Sequence, residues 1–194
     1  PAGTTSLVLG TSSGIHAWHN KYYIRRMRVG KNEPIYNYLS KNHPELIQDE
    51  YFRPHDTAVI EIPQAAPKGS IIRTESAFDL LERVKRVATD WVATGHKTGS
   101  NTHNVSATIS LKEKDWEPAG EWMWKNRNTY NGLSVLPYDG GTYTQAPFED
   151  ITKAKYDEMT KTLQDIDLTK IVEDTDNTDL SGELACAGGS CEIT

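Results

Sequence analysis

Glu75-Ser-Ala-Phe-Asp-Leu-Leu-Glu-Arg-Val-Lys-Arg-Val-Ala-Thr-Asp-Trp-Val-Ala-Thr94 decides the fold class. Ala77, Leu81, Val84, Ala88 and Trp91 recur at steps of four and three, so they form one apolar face of a helix over about 75–94. Thr74 or Ser76 can cap its start, and Gly95 is placed to end it. The period then changes. Val105, Ala107 and Ile109 alternate with Ser106, Thr108 and Ser110, which predicts a strand over 104–111. A helix follows over 116–125, then a strand over 133–136. A last helix starts at Thr152 and runs to about Leu163. Upstream, 22–29 reads as a strand. Asn32 can cap a short helix with Pro34 in its first turn, ending before Pro44. Residues 57–62 alternate as a strand stopped by Pro63. Strands and helices in alternation predict α/β packing. The front, 1–15, reads as a loop rich in Gly, Ser and Thr.

Composition sets bounds on the rest. The chain has 194 residues, 37% hydrophobic and 25% charged, enough for a domain with a real core. Its net charge of −6 argues against a nonspecific nucleic-acid surface. The charge is uneven. Asp165, Asp167, Glu173, Asp174, Asp176, Asp179, Glu183 and Glu192 crowd the end of the chain against Lys170 alone, whereas Lys21, Arg25, Arg26 and Arg28 make the front basic. An anionic ligand would be drawn to the front. No run approaches the ~18–20 apolar residues of a membrane helix. The front also lacks the pattern of a signal peptide. The expected setting is cytoplasmic, with no membrane or nucleic-acid partner. A start at Pro1, in a polar segment of small residues, reads as a piece of a longer polypeptide or as the second half of a split enzyme.

The two ends carry the candidate chemistry. Pro1, Ala2, Gly3, Thr4, Thr5 and Ser6 gather backbone N–H groups and hydroxyls that could cradle a phosphate. No Gly-Lys-Ser/Thr follows, so this is not a Walker loop, and a plain turn would look the same. Cys186 and Cys191, the chain's two cysteines, enclose Ala-Gly-Gly-Ser. Glycines allow the pair to close at little backbone cost, and so small a loop adds little stability. Such a pair suits electron transfer better than stapling. Inert thiols, half of a zinc site and a structural disulfide are the other readings. No His lies near the tail, and His96 and His103 are far upstream. After about Val172 large apolar residues become scarce, which predicts a disordered, acidic linker.

Other residues admit two readings each. His16 and His19 could touch phosphate or metal, or serve structure. Arg25, Arg26 and Arg28 could attract phosphate, or form salt bridges and a solvated face. Tyr22, Tyr23, Trp116, Trp122 and Trp124 read as core or interface aromatics rather than cofactor stackers.

Taken in order, the motifs resemble those of ribonucleotide reductase large subunits. Pro1-Ala-Gly-Thr-Thr-Ser-Leu7 followed by Gly10-Thr-Ser-Ser-Gly-Ile15 looks like the family's substrate-phosphate loop. The stretch from His19 to Arg28, with Tyr22-Tyr23-Ile24-Arg25-Arg26, is similar to the adenosylcobalamin-dependent (class II) branch. So are Gly132-Leu-Ser-Val-Leu-Pro137 and Tyr143-Thr-Gln-Ala-Pro-Phe-Glu-Asp-Ile-Thr152. Cys186-Ala-Gly-Gly-Ser-Cys191 looks like the C-terminal shuttle pair.

The resemblance implies the C-terminal part of a ten-stranded α/β barrel, with 1–171 in the catalytic barrel and 172–194 as a flexible tail. It implies conversion of ribonucleotides to deoxyribonucleotides by radical chemistry with adenosylcobalamin. Cys186 and Cys191 would be the redox shuttle, and Pro1 to Ser6 the phosphate contacts. The implied partners are the N-terminal remainder of the reductase, a ribonucleotide, and thioredoxin or a glutaredoxin-like reductant. The family's thiyl-radical cysteine, its barrel cysteine pair and its carboxylate acid/base have no counterpart here, so the chain alone is expected to be incomplete. No residue is expected to ligate metal.

Three alternatives are open at this point. A class I large-subunit fragment needs paired tyrosines late in the barrel, but Tyr138 and Tyr143 stand apart and Tyr22-Tyr23 come too early. The other two are a stand-alone nucleotide- or phosphate-binding module and an independent thiol carrier.

Overall fold

A computed structural model describes residues 3–138, 140, 143–163 and 165–173. Cys186 and Cys191, with most of the expected tail, lie outside the described residues, as do Pro1 and Ala2. In chain order the elements are α1 (Gly3–Leu9), β1 (Tyr22–Gly30), α2 (Pro34–Asn42), β2 (Ile47–Asp49), β3 (Thr57–Ala65), α3 (Ala77–Val87), β4 (Thr108–Leu111), α4 (Trp116–Lys125), β5 (Ser134–Pro137), β6 (Phe148–Asp150) and α5 (Lys153–Thr162). They divide between two compact units. One takes the described residues up to 18 and 67–140; the other takes 19–66 and those described from 143 onward.

The first unit is built on α3. Ser76 caps it: its side chain accepts from the Asp79 N–H while the Asp79 carboxylate accepts from the Ser76 N–H, a reciprocal capping box. Leu80, Leu81 and Val84 pack against Val105, Ala107, Ile109 and Leu111, with Ala119 of α4. The predicted alternation holds, since 105, 107, 109 and 111 are buried and 106 and 110 exposed, although ladder pairing begins only at Thr108. β4 and β5 pair in parallel with α4 between them, a βαβ unit.

Trp91 departs from the expected apolar face: it is 79% exposed. From Ala88 to Ala93 the helix widens into a π turn. Bonds there run from i to i+5, which rotates later side chains away from the 3.6-residue pattern. Val92 packs on the core instead.

The second unit holds a four-stranded sheet ordered β2-β3-β1-β6. Every pairing in it is antiparallel, so the α/β expectation holds as mixed architecture, with the larger sheet not of the parallel βαβ kind. Pro63 does not stop β3; it pairs in register with Ile24. β2 lies opposite only Ala58–Ile60, so a missing N–H at Pro63 breaks no ladder on that side. Val29, Ala58 and Ile60 form a core with Leu39 of α2, supported by Ile47 and Ile62. Glu33, not Asn32, occupies the position before α2, and Pro34 sits in its first turn. Thr152 caps α5 by accepting from the Lys155 N–H at 3.2 Å.

Candidate functional site

The expected phosphate loop is not a loop throughout. Gly3 to Leu9 form α1, and Gly10 ends it at a left-handed φ of +61° that glycine adopts without a Cβ clash. Nothing between Gly3 and Gly10 interrupts a helix. The expected residues Gly3, Thr4, Thr5 and Ser6 therefore share its first turn, with Thr5 exposed and Ser6 buried. The Ser6 carbonyl accepts from the Thr11 N–H at 2.9 Å, which folds the following segment back on the helix.

That segment is anchored in the same unit by two side chains. Arg83 of α3 donates to the Ile15 carbonyl at 2.9 Å and pairs with Glu75 at 2.5 Å. His16 bridges through both ring nitrogens. Its Nε2 accepts the Thr108 N–H at 3.0 Å, so its Nδ1 carries the proton and donates to the Ser13 carbonyl at 2.8 Å. With both nitrogens committed, His16 serves the positioning of the front segment, not metal or phosphate.

In the other unit, His19 Nε2 lies 2.9 Å from an Asp150 carboxylate oxygen, and its ring stacks on Phe148 at 5.0 Å. The three arginines of β1 part company because side chains alternate across a strand. Arg26 donates to Glu61 at 2.5 Å, to Glu149 and to the Ala146 carbonyl. Burial alone would lower its pKa, but the Glu149 and Glu61 carboxylates outweigh that and hold it above the usual range. Arg28 lies 3.4 Å from the buried Glu50. Arg25, on the opposite face, lies over the Phe148 ring at 4.2 Å. In the sequence these arginines stand together and admit one reading. Only register separates their environments, and Glu61 and Glu149 carry no local motif that marks them as partners.

Of the singled-out aromatics, Tyr23 is buried and Trp122 stacks on Tyr130, while Trp116 and Trp124 lie on the surface. His96 and His103 line a cleft of about 810 Å³ with Trp91, Asp90 and Lys97. Among the described residues no three His, Cys, Asp or Glu side chains converge on a metal site. No helix among them is long and apolar enough to cross a membrane.

No family model matches the chain. It is 28% identical over its whole length to the adenosylcobalamin-dependent ribonucleoside-triphosphate reductase of Lactobacillus acidophilus. It is 29% identical, over 98% of its length, to the enzyme of that name from Euglena gracilis. The matched regions are 26% and 25% of those proteins, so the chain spans about a quarter of the relatives' length. A crystal structure of a B12-dependent (class II) ribonucleotide reductase superposes on 84% of the chain with a TM-score of 0.67 at 22% identity, over 22% of that protein. By sequence along its whole length, and by fold over most of it, the chain is thus a relative of one portion of the adenosylcobalamin-dependent ribonucleotide reductases.

Proposed function

We propose that this chain is the C-terminal portion of an adenosylcobalamin-dependent reductase that converts ribonucleotides to deoxyribonucleotides. The observation that carries the reading is the end-to-end alignment with reductases of that name. In this reading the chain contributes part of the ten-stranded barrel wall over 1–171, a phosphate-binding segment at Pro1 to Ser6, and a dithiol tail over 172–194. The remaining parts of the site belong to the rest of the reductase.

The overall step balances as ribonucleotide plus dithiol giving deoxyribonucleotide, disulfide and water. The 2′-hydroxyl leaves as water, and two thiols lose two electrons and two protons. Cys186 and Cys191 then restore the site by thiol–disulfide exchange: a thiolate attacks the site disulfide, a mixed disulfide forms, and the second thiol closes the tail disulfide while releasing the site dithiol. Thioredoxin or a glutaredoxin-like protein reduces the tail in turn. The adenosylcobalamin of the relatives is assigned to the complete reductase. No residue of this chain is given to it.

What these residues do is positional. Arg83, Glu75 and His16 fix the segment that follows α1. Phosphate at the front would meet the first-turn N–H groups of Gly3 to Ser6. The test is the complete reductase carrying Cys186→Ser or Cys191→Ser. Turnover with thioredoxin should be lost, while turnover with a small dithiol that bypasses the tail is retained. Equal loss with both reductants would remove the shuttle role.

A further inference from the structure

Arg25 and Arg26 are consecutive, both buried, and treated oppositely by the fold. Arg26 faces two carboxylates and a carbonyl. Arg25 is 8% exposed, its Nε is fully enclosed with no hydrogen-bond partner, and it makes no ion pair among the described residues. Its cross-strand neighbours are Ile62 and Phe148. The carboxylate nearest in register on that face, Asp150 opposite Tyr23, is already 2.9 Å from His19. The Tyr23 phenol, two residues back on the same face, acts on its charge. Burial lowers the Arg25 pKa, and Tyr23 opposes that only in part.

A guanidinium has five N–H donors and stays charged. Enclosing its Nε–H without an acceptor leaves a buried donor unpaired, which costs free energy. The Phe148 ring at 4.2 Å offsets part of this by attraction to its π face, but it accepts none of the in-plane N–H bonds. Those bonds suit a planar or tetrahedral oxyanion, which a guanidinium can take in bidentate fashion.

We propose that Arg25 is the receiving half of an anion site, completed by a carboxylate or phosphate oxyanion from outside this chain. Two sources share that chemistry. One is a carboxylate side chain in the rest of the reductase, a source that rests on the functional reading above. The other is the phosphate or carboxylate group of a small ligand. Tyr23, Phe148 and His19 form its aromatic surround, with Tyr23 and His19 each in ring contact with Phe148.

The test compares wild type with Arg25→Met, a variant of similar length without charge. The full 194-residue chain and the complete reductase are each melted in chloride, inorganic phosphate and acetate at equal ionic strength. A free oxyanion source predicts that phosphate or acetate raises the wild-type midpoint by about 2–4 °C and leaves Arg25→Met unmoved. An internal carboxylate source predicts no anion effect. The variant chain would then melt at or above wild type, while the variant complete reductase melts several degrees lower. If Arg25→Met lowers the chain itself and neither anion acts, Arg25 is a structural residue and the inference fails. It also fails if the variant is indifferent in both proteins. The structure of the complete reductase decides independently. A carboxylate or bound oxyanion is expected within about 3 Å of the guanidinium, and a guanidinium facing only apolar groups and water overturns the inference. A complete protein that reduced no ribonucleotide would end the functional reading, yet the anion titration of the chain would stand.

Discussion

Arg26 Nε donates to Glu61 Oε1 at 2.5 Å across the β1–β3 pair, with each side chain about nine-tenths buried. The two are direct cross-strand partners, so the register that sets the sheet also sets the ion pair. Glu61 is held from its other side by Gln48 of β2, whose amide donates at 2.8 Å. One residue thus ties three strands together.

Removing one partner of such a pair strands the other. Arg26→Met should cost about 3–5 kcal/mol in urea unfolding, because Glu61 is left buried without its counter-charge. Arg26→Met combined with Glu61→Leu should recover much of that loss. An unchanged midpoint for the single variant would show that the pair contributes nothing net.

Acid should loosen the turn between β2 and β3. Burial pushes the Glu50 carboxyl up, but the N–H groups of Arg53 and Phe52, at 2.7 Å each, together with the Arg28 charge outweigh it and leave the pKa lowered. Asp56 in the same turn is lowered to about 2, first by its bond to Arg53 and then by Thr57. A carboxylate with a lowered folded-state pKa adds stability above its unfolded value and loses it as pH falls through the folded one. The thermal midpoint should therefore decline between about pH 5 and pH 2. Glu50→Gln should start lower at neutral pH and decline less steeply. Parallel curves for the two proteins would exclude Glu50 from the acid response.

Leu81 and Trp91 read alike in the sequence and should behave differently in the protein. Leu81 is 1% exposed and Trp91 79%. Leu81→Ala should cost about 2–5 kcal/mol by opening a cavity. Trp91→Ala should shift stability by no more than about 0.5 kcal/mol. Comparable losses in urea titration would mean that the π turn does not turn Trp91 outward.

Bulk at the front of α1 should act on substrate binding. Gly3→Val or Thr4→Trp in the complete reductase should raise KM for nucleotide about tenfold, the equivalent of one lost phosphate hydrogen bond of about 1.4 kcal/mol. An unchanged KM would take these residues out of the phosphate site.

Local pattern carried much of this protein. Alternation at 105–111, the Ser76 cap, the helix at Trp116–Lys125 and the Thr152 start depend on neighbours a few residues apart, and all are legible in the chain. The family resemblance was likewise legible, because motif order survives without coordinates. Short strands β2 and β6 leave no mark in the sequence, since three residues carry no period and the strands exist only by pairing with β3 and β1. Helix α1 reads as a loop in the sequence because its polar residues match either state.

Contacts across long sequence separations belonged to the tertiary structure alone. Arg26 meets Glu149 over 123 residues, and His16 meets Thr108 over 92. Arg25 and Arg26 are the same residue type side by side, and the sequence gives them one reading. A strand turns successive side chains to opposite faces, so sheet register alone gave one arginine three acceptors and left the other against a phenylalanine ring.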